Sequence, residues 1–230
     1  MSKKYGIFVY GLGLRKQYLT PGRPVMDQIS KEYVISFFDK RLLLHGDRPE
    51  AVGWTSKGQI LRYQTLLEAG DVHNNKILDF GCGKGDFYRF LKDRGIQAEY
   101  SGFDINEKLI VLARQKYPEA EFRVFDIETD ISDGKFDYVF LCGVFNLRVT
   151  GLEITIHNIL TKLFQHCRKG LAFNALSDLN PKKDFELYYV SPEKIFTFAV
   201  KSLSPYVSLR HDRMRYDFTL FVYRDPLSQE

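Results

Sequence analysis

Short apolar runs and segments with helical periodicity alternate along the chain from residue 76 onward. Such runs predict buried strands, whereas apolar residues three and four positions apart predict helices. The predicted strands are 76–80, 98–104, 120–127, 135–145, 170–177, 206–214 and 216–224, and the helices among them are 86–95, 106–118, 155–170 and 191–204. Strands that alternate with helices indicate a parallel sheet covered by helices on both faces.

The last two predicted strands follow each other without a helix between them, so we expect an antiparallel pair at that edge of the sheet. The sequence therefore predicts an α/β fold, with a doubly wound, mostly parallel seven-stranded sheet and an antiparallel last strand. We expect residues 76–230 to form this core and residues 1–75 to form an N-terminal helical extension docked on it.

Residues 27–43 and 56–70 carry the helical pattern within this extension. In the second segment, Ser56 and Gln59 have the spacing of a capping box, in which two side chains satisfy backbone N–H groups at a helix start. We therefore expect Ser56 to cap that helix.

The composition is that of a globular protein of enzyme size, since 44% of the 230 residues are hydrophobic and 15% are aromatic. The net charge of +4 is mild and the basic residues are dispersed, whereas a dedicated nucleic-acid binder usually carries a dense basic stripe. No apolar run approaches the roughly 20 residues that a membrane span requires. The opening segment MSKKYGIFVYGLGLRK is interrupted by Gly11, Gly13 and Arg15 and lacks a small-residue cleavage site, so we expect no signal peptide.

Cysteine usage indicates a reducing compartment. Cys82, Cys142 and Cys167 are odd in number and none has CxxC spacing. This pattern argues against a disulfide framework and against a zinc site. We therefore expect a cytoplasmic protein without a bound metal.

The stretch ILDFGCGKGDF, residues 77–87, joins a predicted strand to a predicted helix and carries glycine at every second position of its turn. Ligands of doubly wound sheets bind beyond the carboxyl ends of the strands, and glycine lets the main chain approach them closely. Two ligands commonly occupy such a turn, a dinucleotide or S-adenosylmethionine. The dinucleotide fingerprint G-x-G-x-x-G would place its last glycine at Asp86, whose carboxylate would repel a pyrophosphate. A ligand with a sulfonium and an ammonium group is compatible with both Asp86 and the nearby Asp79.

Two further predicted strands also end in aspartate. Asp104 closes the second strand, where a carboxylate can accept hydrogen bonds from both ribose hydroxyls of either candidate ligand. Asp126 ends the third strand, with Ile127 after it, and this pair suits an adenine amine and the face of its ring. Any one of these acids could equally cap a helix or form a turn. Three consecutive strands with the same ending favour a shared ligand.

The segments LDFGCGKGD, GFDIN, VFDI and FDYVFLCGVFN, in this order, resemble the motif series of class I S-adenosylmethionine-dependent methyltransferases. The likeness extends over residues 76–225 and implies a Rossmann-like methyltransferase fold with S-adenosyl-L-methionine as cofactor. By this resemblance the glycine turn passes under the methionine portion, Asp79 acts near its amino group, and the fourth strand ends beside the cofactor cleft. The cofactor-binding residues that the resemblance implies are Asp79, Gly81, Cys82, Gly83, Gly85, Asp104, Ile105, Asp126, Ile127, Cys142, Gly143 and Val144.

The upstream segment HGDRPEAVGWTSKGQILRY resembles the lead-in of a group of bacterial methyltransferases of unassigned substrate. This likeness implies that Arg62 pairs with the carboxylate of the cofactor, and that Trp54 and Ser56 cover the site. A position on the plain surface of the predicted helix is the alternative for Arg62.

Methyl transfer from a sulfonium is an in-line displacement in which positioning and desolvation provide most of the catalysis. A general base is needed only when the acceptor must lose a proton early. By position, the catalytic candidates are Asn146 after the fourth strand, His211 on the sixth strand and His45 in the upstream loop. If the sixth strand is extended, His211 shares a face with Arg213 and Arg215. Residues 177–189 would form a lid.

The exit of the fourth strand, CGVFN, lacks the Asn-Pro-Pro-aromatic arrangement of amino-group nucleic-acid methylases and the Pro-Cys nucleophile of cytosine-carbon methylases. We therefore expect transfer to an oxygen or nitrogen of a small-molecule acceptor, with nucleic acid disfavoured but left open. An RNA or protein methyltransferase of the same fold is the first alternative. An NAD-dependent oxidoreductase and a non-catalytic cofactor-binding protein are the others. The sequence does not predict the oligomeric state.

Overall fold

A computed structural model describes residues 26–130 and 134–227 of the chain. The expectation about the opening segment therefore lies outside the described residues. The seven strands are β1 Lys76–Phe80, β2 Glu99–Asp104, β3 Glu121–Val124, β4 Phe136–Cys142, β5 Cys167–Leu176, β6 Val207–Met214 and β7 Asp217–Tyr223. The helices are α1 Gln28–His45, α2 Ser56–Leu66, α3 Asp86–Asp93, α4 Glu107–Lys116, α5 Leu152–Gln165 and α6 Pro192–Ser202, with short 3-10 turns at Pro49–Val52 and Leu67–Ala69.

The strands form one sheet in the order β3-β2-β1-β4-β5-β7-β6. The pairings among β1 to β5 are parallel, whereas β7 runs antiparallel to both β5 and β6. The predicted fold class is therefore confirmed. The last strand lies inside the sheet and β6 forms its edge. The sequences explain this order, because DFTLFVY of β7 is buried throughout, while VSLRHDRM of β6 carries the charged side chains that suit an edge strand.

Helices cover both faces of the sheet. One apolar cluster joins the sheet to α2, α3 and α4, and a second joins it to α5 and α6. Tyr63 and Leu66 of α2 belong to the first cluster, so α2 packs on the sheet like the helices of the repeating unit. The expected boundary between an extension and a core at residue 75 stays a prediction.

The start of α2 differs from the prediction. Its cap is Thr55, whose hydroxyl accepts the N–H of Gly58, and Ser56 is the first helical residue. Gln59 does not complete a capping box, because its side-chain amide donates instead to Asp86 of α3 at 3.0 Å. The expectation that Ser56 caps the helix was wrong, since a tertiary partner attracts Gln59 away from the helix start.

Two other predicted boundaries also differ by a few residues. Helix α5 begins at Leu152, after Gly151 in a left-handed conformation, and β5 begins at Cys167. Within the described ranges, no helix is long and apolar enough to cross a membrane.

Candidate functional site

The carboxyl ends of β1 to β4 meet at a single deep cavity. All of the residues that the resemblance implies as cofactor-binding line it, apart from Gly85 and Arg62. They meet because parallel strands end at the same side of the sheet and each is followed there by a turn. We call the part at Asp126 and Ile127 the β3 end of the cavity, and the part at Cys142, Gly143 and Val144 the β4 end.

The glycine turn packs against the carboxyl ends of β2 and β4. The N–H groups of Gly81 and Cys82 both donate to the carbonyl oxygen of Phe103, at 2.7 and 3.1 Å. Gly81 has a φ of +75°, and a Cβ atom there would lie 2.5 Å from Val144 of the next strand end. Left-handed backbone and the absence of a side chain are therefore both required at this position.

Two carboxylates flank the turn, of which Asp79 is buried and Asp104 is half-buried. Asp79 is 2% exposed and accepts the hydroxyl of Tyr100 at 2.7 Å. Burial raises its pKa to about 7, against the opposing effect of that hydrogen bond. Asp104 accepts the N–H groups of Gly83 and Asn106, each at 2.8 Å, and burial also raises its pKa above the usual range. Both acids are costly to bury alone, and a cation in the cavity would stabilise their ionised forms.

Asp86, at the start of α3, has a partner that the sequence reading overlooked. Lys84 is 2% exposed, and its ammonium lies 2.7 and 2.6 Å from the two carboxylate oxygens of Asp86. The same ammonium donates to the carbonyl oxygen of Asp47 at 3.2 Å. The charge of Asp86 is therefore neutralised within the protein, so the argument that it would repel a pyrophosphate was wrong. The sequence signal for this ion pair was the basic residue Lys84, two positions before Asp86 in the segment GKGD.

A lysine from the first helix reaches the β3 end of the cavity. Lys31 of α1 lies 2.6 Å from Asp126 and 2.6 Å from Glu128. Burial alone would lower the pKa of Lys31, but the hydrogen bonds to the two carboxylates raise it overall. Val34 and Phe38, one and two turns further along α1, line the same cavity. The predicted adenine ligand Asp126 therefore already has a cationic partner, which no local pattern around residue 126 indicated.

At the β4 end, an aromatic side chain touches bare main chain. Gly143 has a φ of +71°, and a Cβ atom there would lie 2.2 Å from Cζ2 of Trp54, so the indole occupies the space of the missing side chain. The guanidinium carbon of Arg62 lies 3.9 Å from the centre of the Trp54 ring. Trp54 itself lines the cavity.

Arg62 is bonded to a carboxylate of the protein. Its Nε and Nη2 donate to one oxygen of Asp217 at 2.9 and 2.5 Å, and its Nη1 donates to the Gly58 carbonyl oxygen at 3.1 Å. It is buried, so the alternative of a plain surface position was wrong. The implied contact with the carboxylate of a cofactor stays a prediction, with the guanidinium already engaged by Asp217.

The three catalytic candidates lie in different surroundings. The side-chain oxygen of Asn146 and Nε2 of His211 are buried and have no hydrogen-bond partner within the described residues. His211 stacks on Phe218, with ring centres 6.4 Å apart and planes 10° apart. His45 lies in the last turn of α1, and none of the three candidates is among the residues lining the cavity. These three roles in catalysis stay predictions.

The shared face predicted for His211, Arg213 and Arg215 does not form. The pairing of β6 with β7 is irregular between Arg210 and Met214, which breaks the alternation of side chains. Arg213 instead pairs with Glu68 at 2.6 Å.

The cysteines in the cavity are suited to packing rather than to nucleophilic chemistry. Burial raises the pKa of the Cys82 thiol and of the Cys142 thiol well above their usual range. The described part of the chain contains no group of three or more His, Cys, Asp or Glu residues that could hold a metal ion.

Comparisons with known proteins agree with this architecture. A family model described as a methyltransferase domain matches residues 77–170. The Mycobacterium tuberculosis protein Rv1506c, whose name assigns it to the methyltransferases, is 31% identical over 164 residues, which cover 68% of this chain and 96% of that relative.

Two solved structures share the fold. Magnesium protoporphyrin IX methyltransferase from Synechocystis PCC 6803, with bound SAH, has a TM-score of 0.59 at 19% identity and covers 85% of this chain and 99% of its own. The DhpI–SAH complex has a TM-score of 0.63 at 16% identity and covers 85% of this chain and 97% of its own. With a relative matched over nearly its whole length and a sheet that ends in this cavity, the chain belongs to the class I S-adenosylmethionine-dependent methyltransferases.

Proposed function

We propose that this enzyme transfers the methyl group of S-adenosylmethionine to an oxygen or nitrogen of a small-molecule acceptor. The observation that carries the proposal is the pair of buried hydrogen-bonding atoms without partners, the side-chain oxygen of Asn146 and Nε2 of His211. Neither residue lines the cavity, but buried polar atoms are nearly always satisfied, so an unsatisfied one beside the cavity is a candidate for ligand contact.

Both atoms belong to the same side of the molecule. Asn146 follows the β4 end of the cavity, and its amide nitrogen would lie 3.2 Å from a Cβ atom on Gly143. Burial raises the pKa of Asp217, and its interactions with Arg62, Asn174 and His211 oppose that rise, so His211 lies within electrostatic range of the Arg62–Asp217 pair. This pair is in turn linked to Gly143 through Asn174.

These two atoms fit an acceptor group that carries a proton. The amide oxygen of Asn146 can accept an O–H or N–H of the substrate and so orient its lone pair. An imidazole nitrogen without a proton can take up the proton that the acceptor releases. In the reaction the bond from sulfur to methyl breaks, the bond from methyl to oxygen or nitrogen forms, and S-adenosylhomocysteine leaves.

The cofactor contacts proposed from the cavity are those of the predicted set. Asp104 would hold the ribose, Asp126 with Ile127 the adenine, and Asp79 the amino group. The apolar part of the cavity wall, which includes Phe145, Leu147, Val149 and Leu152, supports a small acceptor with a nonpolar body. One solved neighbour of the same fold is named for a porphyrin acceptor, which supports an acceptor of this kind.

A labelling screen tests the proposal. The enzyme is incubated with S-adenosylmethionine that carries a tritiated methyl group and, separately, with metabolite, RNA and protein fractions of the native host. We expect label in a metabolite, released as a methyl ether, ester or amine. The Asp104→Ala variant, which should bind cofactor much more weakly, is the control for non-enzymatic transfer.

Label confined to RNA or to protein would overturn the small-molecule assignment in favour of the first alternative. Saturable binding of S-adenosylhomocysteine without label in any fraction would instead indicate a non-catalytic cofactor-binding protein.

A further inference from the structure

A closed ring of contacts surrounds the β4 end of the cavity. The N–H of Gly143 donates to the side-chain oxygen of Asn174 at 2.7 Å, and the amide of Asn174 donates to Asp217 at 3.4 Å. Asp217 accepts two bonds from Arg62, Arg62 lies against the face of Trp54, and the edge of Trp54 lies against Gly143. The ring thus returns to its first residue and joins β4, β5 and β7 to the segment before β1.

Different interactions hold the residues of the ring in place. Arg62 and Asp217 are 8% and 5% exposed, and a buried pair of opposite charges breaks only at considerable cost. The planar guanidinium can hold a carboxylate at its edge and an aromatic ring on its face at the same time. Gly143 has no side chain, so the indole rests directly on the main chain. The position of Trp54 is therefore set from two sides, by Arg62 and by Gly143.

Of the ring's side chains, that of Trp54 lines the cavity, while those of Arg62, Asn174 and Asp217 lie behind it. We propose that Trp54 contacts the bound cofactor at the β4 end, next to the methyl group, and that Arg62 and Asp217 are positioning residues that act through Trp54. This inference rests on the proposed placement of the cofactor in the cavity. It assigns Arg62 an indirect role, distinct from a bond to the carboxylate of the cofactor.

The role of an aromatic wall at this position is to exclude water from the transferring methyl group. In-line transfer between a sulfonium and a lone pair is favoured by a dry, shaped site. A flat indole held by a cation on its outer face supplies such a wall and keeps its inner side apolar.

The chain contains one tryptophan, so its fluorescence reports on Trp54 alone. We expect titration of the full-length protein with S-adenosylhomocysteine to change the emission and to saturate at the Kd measured by calorimetry. Calorimetric saturation with unchanged emission would overturn the inference while leaving the cofactor assignment intact. Absence of binding by both methods would overturn the cofactor placement itself.

Substitutions at Trp54 and Arg62 distinguish a residue that contacts the ligand from one that positions it. We expect Trp54→Ala to weaken S-adenosylhomocysteine binding about tenfold, and Trp54→Phe to weaken it less. Ile60→Ala, at a position of α2 that is 44% exposed, is the control and should bind like the unchanged protein.

Arg62→Lys keeps the positive charge opposite Asp217 but removes the planar group behind the indole. We expect it to shift the ligand-free emission of Trp54 to longer wavelength and to weaken binding about fivefold. Because Arg62 acts through Trp54, Arg62→Lys should weaken binding no further in the Trp54→Ala background. Additive losses in the double variant would show that Arg62 contacts the ligand directly and would overturn the positioning role.

The double variant Arg62→Met with Asp217→Leu removes both charges of the ion pair and so leaves no unpaired buried charge. Such an apolar replacement is often neutral for stability, so the loss of the ring can be measured in a folded protein. We expect it to melt near the temperature of the unchanged protein and to show the same longer-wavelength emission. An unchanged emission in this folded variant would contradict the proposed ring.

Discussion

The two ends of the cavity are assembled in different ways. At β1 to β3, most contacts join neighbouring motifs: the glycine turn donates to β2, and Asp104 accepts from that turn and from its own helix. At the β4 end, the contacts join segments far apart in the chain, and Arg62 and Asp217 are 155 positions apart. The first end uses backbone groups and acids at strand ends, whereas the second uses side chains whose meeting depends on the whole sheet.

This difference is consistent with the proposal that the β1 to β3 part binds the cofactor, which all members of the family share, and that the β4 end faces the acceptor, which differs among them. Backbone donors and a glycine turn recognise a shape that does not vary. Side chains from loops and from the antiparallel strand can change without disturbing the parallel strands. Variants at the two ends should therefore differ in what they impair.

The largest effect is expected from Asp104→Ala. The variant loses the carboxylate proposed to bind both ribose hydroxyls and also releases Gly83 of the glycine turn. Charge-assisted hydrogen bonds contribute about 1.5–3 kcal/mol each, so S-adenosylhomocysteine binding should weaken about a hundredfold or more by calorimetry. Asp93→Ala, an exposed acid at the end of α3, is the control and should bind normally. A loss of less than about threefold at Asp104 would refute the ribose assignment.

An intermediate effect is expected from pH. With a pKa of about 7, Asp79 is mostly protonated at pH 6 and mostly ionised at pH 8. The ionised form attracts the ammonium group of S-adenosylhomocysteine, so affinity should rise about tenfold over this interval. Asp79→Asn should abolish this dependence. A profile that is the same in both proteins would place the amino group elsewhere.

The same shift has the opposite sign for the stability of the ligand-free protein. The folded state holds a proton that an unfolded aspartate releases near pH 4. The contribution of Asp79 to the free energy of unfolding should therefore decline as pH rises from about 4 to about 7 and level off above that. Denaturant melts of the unchanged protein and of Asp79→Asn at several pH values would measure the difference.

The smallest effect on cofactor affinity is expected at the acceptor candidates. Asn146→Ala and His211→Ala should leave the Kd of S-adenosylhomocysteine within about twofold, because neither side chain is proposed to touch the cofactor. With the acceptor found in the labelling screen, loss of a general base at His211 should lower turnover about a hundredfold or more. Val111→Ala, at an exposed position of α4 away from the predicted lid, is the control. Unchanged turnover in His211→Ala would make that histidine structural.

Local patterns were sufficient for much of the fold. The strand and helix alternation and the antiparallel last strand are both present as predicted. The miss at Thr55 arose because the partner of Gln59 is Asp86, 27 positions away. Spacing rules describe contacts along one helix, and they carry no information about a competing partner on another.

Charge was the hardest property to read from the sequence. Asp86 and Asp126 were treated as free carboxylates, yet each has a lysine partner in the folded chain, Lys84 and Lys31. A sequence gives the number of acidic residues. The electrostatic effect of each one depends on which cations lie near it in the fold and on how much water is excluded around it.

The sequence by itself determined the class of this protein, because strand ends and glycine turns are local features and their order along the chain is the motif order of the family. Only the tertiary structure decided which side chains from outside those motifs form or support the cavity wall, namely Lys31 at the β3 end and the ring through Trp54, Arg62 and Asp217 at the β4 end. The physical reason is that hydrophobic burial specifies which segments pack together, whereas ion pairs and ring contacts form between whichever side chains that packing brings within reach.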